Sequence, residues 1–207
     1  IDLPFFQRHL LVKGLIVPRR KKASSDLYKL LPKFSDLPLR HFGYALAEAL
    51  EKRLGDQFSV KLAMRYGKPS LKKLMQSWEE KNLERIILIP LFPQYASATT
   101  GSVLELFFEL IKTWSIIPQV HTVHHFYDHP AFIKAWQCAA SAIDFSQFEH
   151  IVFSYHGLPL RQLQKANIIG KQCQGGACCS PLSSSNKHCY RAQCFQTSRL
   201  LIEALNL

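Results

Sequence analysis

The chain contains 207 residues, of which 47% are hydrophobic and 20% are charged, and its formal net charge is +11. This composition is typical of a globular protein and excludes a low-complexity chain, and no apolar run approaches the ~20 residues that a membrane-spanning helix needs. Positive charge is concentrated in residues 1–85, most densely at Arg19–Lys22. Such a run suits a solvated loop, anionic lipid headgroups or a small anion. No DNA-binding motif accompanies it, so we expect no nucleic-acid partner.

Hydrophobic periodicity predicts alternating helices and strands after a start that is punctuated by prolines. Residues 1–38 predict only short helices and loops. From residue 39 onward, apolar residues recur with the spacing of amphipathic helices or form short runs typical of buried strands. The predicted order is a helix at 39–54, a strand at 58–64, a helix at 71–78, a strand at 86–89, a helix at 102–114, a strand at 118–124, a helix at 130–143, a strand at 150–155 and a helix at 191–205.

This alternation predicts an α/β fold, with a Rossmann-like and mainly parallel sheet that carries helices on both faces. Ligands of such sheets bind in the loops that follow the strands. The loops concerned are residues 64–70, 91–102, 126–130 and 155–159. Because they combine aromatic rings and hydroxyls with Arg65 and His156, we expect them to line one largely apolar pocket.

Two of these loops suggest specific chemistry. His156 follows a predicted strand and precedes Gly157, so its imidazole is either a proton acceptor at the sheet edge or a turn-stabilising side chain. Residues 99–102 precede a predicted helix, so their amides are candidates for binding a phosphate or carboxylate. The alternative is simple helix capping, for which Ser102 and Glu105 fit a capping box.

Five of the six cysteines lie between Cys173 and Cys194. Because no secretory signal is visible, clustered cysteines favour a metal site over disulfides. Residues 183–185 are serines and residues 175–176 are glycines, which suits a flexible loop around a metal.

Two long segments resemble ferrochelatases. Residues 91–102 resemble the Pro-Gln-Tyr-Ser…Thr-Gly-Ser segment of that family, and residues 153–159 resemble its Phe-Ser-Phe-His-Gly-Leu/Ile-Pro segment. Residues 64–70 and 127–130 fall in the family order around them, so the resemblance covers most of the chain.

The resemblance implies a lyase of haem biosynthesis that inserts Fe²⁺ into a porphyrin, either protoporphyrin IX or coproporphyrin III. It implies two similar Rossmann-like halves with the porphyrin cleft between them. His156 matches the catalytic histidine, which accepts a pyrrole proton or hands over the metal. Arg65 and Ser102 are then candidates for binding the propionates, and Tyr95 and Tyr155 for the apolar walls.

Against the family pattern, we expect an incomplete chelatase fold. Residues 1–147 match most of the first half without its opening strand, and residues 148–207 match only the start of the second half. No residue matches the family glutamate that faces the histidine, so we expect weak porphyrin binding and no turnover from this chain. We also expect a cytoplasmic protein, with peripheral inner-membrane contact through the basic N-terminal region.

Residues 170–194 form a cysteine-rich insert similar to the internal segment that holds a 2Fe–2S cluster in some bacterial ferrochelatases. The resemblance implies Cys173, Cys178, Cys179 and Cys189 as ligands and leaves Cys194 spare. Zinc (Zn²⁺) is the alternative metal because thiolates bind both, and unligated thiols are a third interpretation. A corresponding alternative function is a non-catalytic iron–sulfur or zinc module that senses redox state or metal.

Overall fold

The computed structural model describes residues 4, 6–7, 10–29, 37–81, 83–166 and 177–207. Their long helices and strands, in chain order, are α1 (Val17–Lys29), α2 (Pro38–Leu54), α3 (Leu71–Glu79), β1 (Arg85–Leu88), α4 (Ser102–Ile111), β2 (Gln119–Thr122), α5 (Pro130–Ala140), α6 (Leu160–Ala166) and α7 (Tyr190–Leu205). A π-helical segment, Leu10–Ile16, precedes α1, and a second one, Ser97–Gly101, precedes α4. Short 3-10 turns lie at Phe145–Gln147 and Ala177–Cys179.

The described residues form two compact units, Ile1–Leu62 and Ala63–Leu207. In the first unit, α2 begins at Pro38, whose fixed φ suits a first helical turn. The helix ends at Gly55, which adopts a φ of 78° and donates its N–H to the Glu51 carbonyl. None of the α2 residues is buried, so the apolar face that the periodicity predicts for this helix is largely exposed here.

The second unit contains a two-stranded sheet in which β1 pairs with β2 in parallel, with Ile86 opposite Val120. Helix α4 lies between the two strands in sequence, which makes a β-α-β arrangement. An α/β fold with a parallel sheet is therefore confirmed. β2 lies within the predicted range 118–124, and β1 overlaps the predicted range 86–89 but begins one residue earlier, at Arg85.

Two predicted strands are absent from the described structure. Residues 58–63 have no regular structure, and Met64 forms only an isolated bridge to Ser70. Residues 150–159 are also irregular, with the Val152 side chain 84% exposed. The predictions were wrong because residues suited to a strand do not form one unless a neighbouring backbone pairs with them.

The predicted helices are better reproduced. Those expected at 39–54, 71–78, 130–143 and 191–205 are confirmed as α2, α3, α5 and α7, although α5 ends at Ala140. Ser70 caps α3 by accepting a hydrogen bond from the Lys73 N–H. The Nδ1 atom of His129 accepts the Ala131 N–H at 3.2 Å and begins α5 in the same way. None of the described helices is long and apolar enough to cross a membrane.

The main hydrophobic cluster of the second unit lies among α3, β1 and α4. Its buried members are Leu71, Met75, Ile86, Phe107, Ile111 and Trp114. Phe108 follows Phe107 in α4, but its ring is 48% exposed because it lies on another face of the helix.

The predicted division into halves at residues 147 and 148 stays a prediction. The compact units of the structure divide at residues 62 and 63. Helices α5 and α7, which lie on either side of residue 147 in sequence, pack together inside the second unit. The side-chain amide of Gln137 on α5 donates to the Ala204 carbonyl of α7 at 2.7 Å.

Candidate functional site

The loops after β1 and β2 meet at the carboxyl edge of the sheet, as a parallel arrangement predicts. The Val123 N–H donates to the Leu88 carbonyl at 3.0 Å, and the Phe126 N–H donates to the Pro93 carbonyl at 2.9 Å. Beyond these bonds the Tyr95 ring stacks on His124, with 6.3 Å between ring centroids and 17° between planes. Tyr95 is therefore placed at the sheet edge, where the sequence predicts a ligand.

A buried polar pair on α7 holds the loop that carries Tyr95. Gln193 is fully buried, and its Oε1 atom accepts the Tyr95 N–H at 2.7 Å. Thr197, which is 2% exposed, accepts a hydrogen bond from the Gln94 side-chain amide at 3.0 Å. The hydroxyl of Thr197 also lies 3.0 Å from the Tyr127 carbonyl, so the same helix reaches the loop that follows β2.

Helix α7 also contacts the segment that contains His156. The Tyr190 hydroxyl donates to the His156 carbonyl at 3.0 Å, and the hydroxyls of Tyr155 and Ser198 are 2.9 Å apart. The His156 side chain itself is exposed. The imidazole is therefore accessible, while its backbone is held by α7.

Arg65 and Ser102, the two residues predicted to bind anionic groups, are in direct contact. The Arg65 Nε atom donates to the Ser102 carbonyl at 2.9 Å and lies 3.0 Å from the Ser102 hydroxyl. Arg65 lies in a tight loop in which Gly67 adopts a φ of 83°, a conformation that favours glycine. The Met64 N–H closes that loop by donating to the Pro69 carbonyl at 2.7 Å.

The structure corrects two expectations about residues 99–102. Ser102 does not form a capping box with Glu105, because its hydroxyl contacts Arg65 and the residue before α4 is Gly101. The amides are not an open anion site either. The N–H groups of Thr99 and Gly101 donate to the Ala96 carbonyl, and that of Ser102 donates to the Thr99 carbonyl. The segment uses its amides for its own π-helical turn.

Burial keeps two tyrosines near this edge in their neutral form. The pKa of Tyr155 is raised above 10.0 by burial, although the hydrogen bond to Ser198 opposes this. The pKa of Tyr127 is also raised above 10.0, by burial and then by the neighbouring Asp128 carboxylate. Tyrosine is uncharged at neutral pH even at its ordinary pKa, and the raised pKa keeps both phenols neutral further into the alkaline range.

The turn between Cys179 and Cys189 is organised by the buried side chain of Asn186. Its Nδ2 atom donates to the carbonyls of Cys178 and Pro181, at 2.9 and 3.0 Å. Its Oδ1 atom accepts the Ser183 N–H at 2.6 Å. This polar side chain gives the cysteine-bearing segment a defined path into α7.

The described cysteines of this segment lie close together and form no disulfide. Burial raises the pKa of the Cys179 thiol to about 11, an effect that the Arg191 cation opposes and the nearby Cys178 and Cys189 strengthen. Burial also raises the pKa of Cys194 to about 11. These two thiols are protonated at neutral pH, so a metal would have to displace the proton of Cys179.

The thiol chemistry suits a cluster or zinc, but the described arrangement does not form a ready metal site. Among the residues that the structure describes, no three His, Cys, Asp or Glu side chains are grouped as metal ligands. Cys173, a predicted ligand, lies outside the described residues. The ligand set Cys173, Cys178, Cys179 and Cys189 therefore stays a prediction.

Sequence reasoning missed the four residues of α7 that join the site: Tyr190, Gln193, Thr197 and Ser198. Their spacing is three, four and one, which places three of them along one helical stripe. A signal was present, because Gln193 and Thr197 alternate with Ala192, Cys194 and Leu201 on the buried side. Their burial, however, depends on what packs against the helix.

Comparison with known proteins identifies the family. A sequence model of the ferrochelatase family matches residues 1–207. The chain is 38% identical to a ferrochelatase of Coxiella burnetii (strain Dugway 5J108-111) over 208 aligned residues, which cover all of this chain and 58% of that protein. It is 36% identical to a ferrochelatase of Legionella pneumophila (strain Corby), again over the whole chain and over 61% of that protein.

The chain thus spans about three fifths of the length of the curated relatives that it matches. The match runs through the loops at the sheet edge and through the segment that contains His156. The chain belongs to the ferrochelatase family.

Proposed function

We propose that this chain binds a porphyrin, protoporphyrin IX or coproporphyrin III, and takes part in the insertion of Fe²⁺ during haem biosynthesis. The observation that carries the proposal is that the family match includes His156, whose imidazole is exposed while Tyr190 holds its backbone. Insertion of Fe²⁺ into a free-base porphyrin releases two protons. An accessible neutral imidazole is suited to accept a proton, and the iron is the substrate metal.

In this proposal, Tyr95 and Tyr155 supply flat, neutral contacts to the macrocycle. Tyr95 lies at the sheet edge, and Tyr155 is half-buried beside Ser198. The Arg65 cation, oriented by Ser102, binds a propionate. A carboxylate on a guanidinium is a charge-assisted hydrogen bond, which is stronger than a neutral one.

The experiment measures porphyrin binding with the chain, and metallation with a longer version that matches the full length of the curated relatives, each with and without His156→Ala. Quenching of tryptophan fluorescence reports binding, and the change of the free-base porphyrin absorption spectrum on addition of Fe²⁺ reports metallation. We expect His156→Ala to leave porphyrin affinity within about three-fold and to slow metallation by about 100-fold or more. His150→Ala is the matched control, because this histidine is also exposed and lies in the same segment.

Equal metallation rates for the full-length version with and without His156→Ala would contradict the proposed role of His156. A full-length version that binds porphyrin but never metallates it would favour the alternative of a non-catalytic iron–sulfur or zinc module. No feature of the described residues favours that alternative at present.

We further propose that the cysteine-rich segment binds a 2Fe–2S cluster through Cys173, Cys178, Cys179 and Cys189. Thiolates suit this cluster, and Cys179 lies near Cys178 and Cys189. The test is iron, sulfide and zinc analysis of anaerobically purified protein with its visible absorption spectrum. Zinc without sulfide would indicate the alternative metal, and neither metal would indicate unligated thiols.

For location, we propose a cytoplasmic protein that contacts the inner membrane through its N-terminal region. The exposed side chains of Arg19, Arg20 and Lys21 support this contact, as do the exposed apolar side chains of Phe6 and Leu10. Sedimentation with vesicles that contain anionic lipid should weaken when these three cations are changed to glutamate. Equal sedimentation would contradict the proposed contact.

A further inference from the structure

Helix α7 carries polar side chains where a packed helix normally carries apolar ones. Gln193 is 0% exposed and Thr197 is 2% exposed, and they lie four residues apart on one face. A buried amide or hydroxyl costs free energy unless it is hydrogen-bonded. Their partners therefore explain why polar residues occupy this face.

The two ends of the Gln193 side chain bind different segments. Its Oε1 atom accepts the Tyr95 N–H at 2.7 Å, and its Nε2 atom donates to the Lys187 carbonyl at 2.8 Å. One partner is a donor and the other an acceptor, so the orientation of the amide is determined by them. Gln193 thus joins the turn before Cys189 to the loop at the sheet edge.

Thr197 supports the adjacent residue of the same loop. Its hydroxyl accepts from the Gln94 Nε2 atom at 3.0 Å and has the carbonyls of Tyr127 and Gln193 within 3.0 Å. Because a hydroxyl has one hydrogen, it donates to one of these carbonyls at a time. Gln94 and Tyr95 are therefore both attached to α7 by side chains that are shielded from water.

The carbonyls of the flanking residues Pro93 and Ala96 accept backbone hydrogen bonds, whereas the Tyr95 N–H is held by the Gln193 side chain. The loop lacks strand structure at residues 89–96, and the Tyr95 ring stacks on His124. A Cβ atom at Gly101 would lie 3.1 Å from the Tyr95 hydroxyl, so the glycine leaves room for this ring. The position of the Tyr95 backbone depends on Gln193, and the position of its ring depends on His124 and on the space at Gly101.

We propose that Gln193 is a positioning residue. It holds the Tyr95 backbone, so that the Tyr95 ring stays in place for the porphyrin. This rests on the proposed porphyrin binding, since Tyr95 is there a wall of the macrocycle site. Gln193 touches no substrate in this proposal and acts only through the Tyr95 backbone. Thr197 contributes in the same way through Gln94.

The test uses the 207-residue chain with Gln193→Met, which keeps the volume but loses both hydrogen bonds. Thr197→Val is the milder variant, and Thr197→Ser retains the hydroxyl as the conservative control. Amide hydrogen exchange over residues 91–98 reports the loop, with α3 as an internal reference for global folding. Quenching of tryptophan fluorescence by protoporphyrin IX reports binding.

We expect Gln193→Met to accelerate exchange of the Tyr95 amide about ten-fold or more and to weaken porphyrin binding about five- to ten-fold, with exchange in α3 unchanged. Thr197→Val should show about a three-fold effect in both measurements, and Thr197→Ser should stay within about two-fold of the unchanged chain.

The outcomes separate this inference from the proposed function. Unchanged exchange of the Tyr95 amide in Gln193→Met overturns the positioning role, whether or not porphyrin binds. Faster exchange with unchanged porphyrin affinity overturns the link to the substrate. If the unchanged chain does not bind porphyrin, the proposed function fails, while the exchange data still decide whether Gln193 holds the loop. Should Gln193→Met not fold, the Tyr95 amide of the unchanged chain decides the question. Slow exchange, comparable to that of α3, supports the hydrogen bond to Gln193, and exchange as fast as that of an unprotected amide overturns it.

Discussion

Arg65 is oriented by a contact that joins residues 37 positions apart in sequence. Its Nε atom binds both oxygens of Ser102, and its guanidinium carbon lies 4.7 Å from the centre of the Tyr66 ring. A guanidinium has five N–H donors, so contact through Nε leaves the other donors able to bind an anion. The propionate role of Arg65 is therefore a matter of orientation as well as charge.

Replacement of Arg65 by methionine should weaken porphyrin binding about ten-fold, because a charge-assisted hydrogen bond at a half-buried site is lost. The measurement is the affinity for protoporphyrin IX and for its dimethyl ester, which lacks the carboxylates. The unchanged chain should prefer the acid, and Arg65→Met should bind both alike.

Ser102→Ala is the control for this prediction. It removes the hydroxyl but keeps the carbonyl that accepts from Arg65, so we expect a smaller loss of affinity, about three-fold or less. An unaltered preference for the acid in Arg65→Met would rule out Arg65 as the propionate partner.

Glu51 makes the stability of the first unit depend on pH. Its carboxylate binds the Lys61 Nζ atom at 3.0 Å and the Val60 N–H at 2.8 Å, which together lower its pKa from 4.5. A lowered carboxyl pKa adds stability above the unfolded pKa, and this stability is lost as pH falls through the folded value. Glu51→Gln should therefore reduce stability at pH 7 and flatten its decline below about pH 4.5, as measured by urea unfolding.

Lys61→Met tests the cause of this shift. Loss of the lysine removes the largest contribution, so an NMR titration should show the Glu51 pKa moving part of the way back towards 4.5. A titration curve identical to that of the unchanged chain would show that Lys61 has no such effect.

Among the helices and strands, α7 makes the contacts that bring the site together. Tyr190 and Ser198 bind the segment around His156, whereas Gln193 and Thr197 bind the loop around Tyr95. Because the turn organised by Asn186 leads directly into this helix, the placement of the site depends on that turn as well.

Asn186→Ala should lower the free energy of unfolding by about 1–3 kcal/mol, because it leaves the carbonyls of Cys178 and Pro181 and the Ser183 N–H without their partner. Urea unfolding followed by tryptophan fluorescence measures the change. Ser184→Ala in the same turn is the control, since Ser184 is exposed, and it should change stability by less than about 0.5 kcal/mol. Equal effects of the two substitutions would count against the role of Asn186.

The helices could be predicted more readily than the strands, and for a physical reason. The hydrogen bonds of α2, α3, α5 and α7 lie within each helix, so local spacing and capping residues such as Ser70 indicate them. A strand depends on a partner elsewhere in the chain. Residues 58–64 and 150–155 have strand-forming side chains, but among the described residues neither run is paired along its length.

On the scale of the whole molecule, stability of the second unit depends on the cluster among α3, β1 and α4. Phe107 and Phe108 are adjacent on α4, but the first is 1% exposed and the second 48%. Phe107→Ala should cost about 3–5 kcal/mol of unfolding free energy, through lost burial and the cavity that remains. Phe108→Ala should cost about 1 kcal/mol or less, with urea unfolding as the measurement.

If Phe108→Ala lowered the free energy of unfolding as much as Phe107→Ala, the result would contradict the observed position of the core. Trp114 belongs to the same cluster, so its fluorescence should report unfolding of this unit in both variants.

The sequence by itself determined the family, the α/β class and the identities of His156, Arg65, Ser102, Tyr95 and Tyr155 as candidates, because motifs and hydrophobic periods are local properties of the chain. Only the tertiary structure decided that Ser102 contacts Arg65 instead of capping its helix, and that Gln193 holds Tyr95 across 98 residues of sequence. The reason is that a polar side chain has many possible partners in sequence. Packing leaves it only those that the fold brings within hydrogen-bond distance.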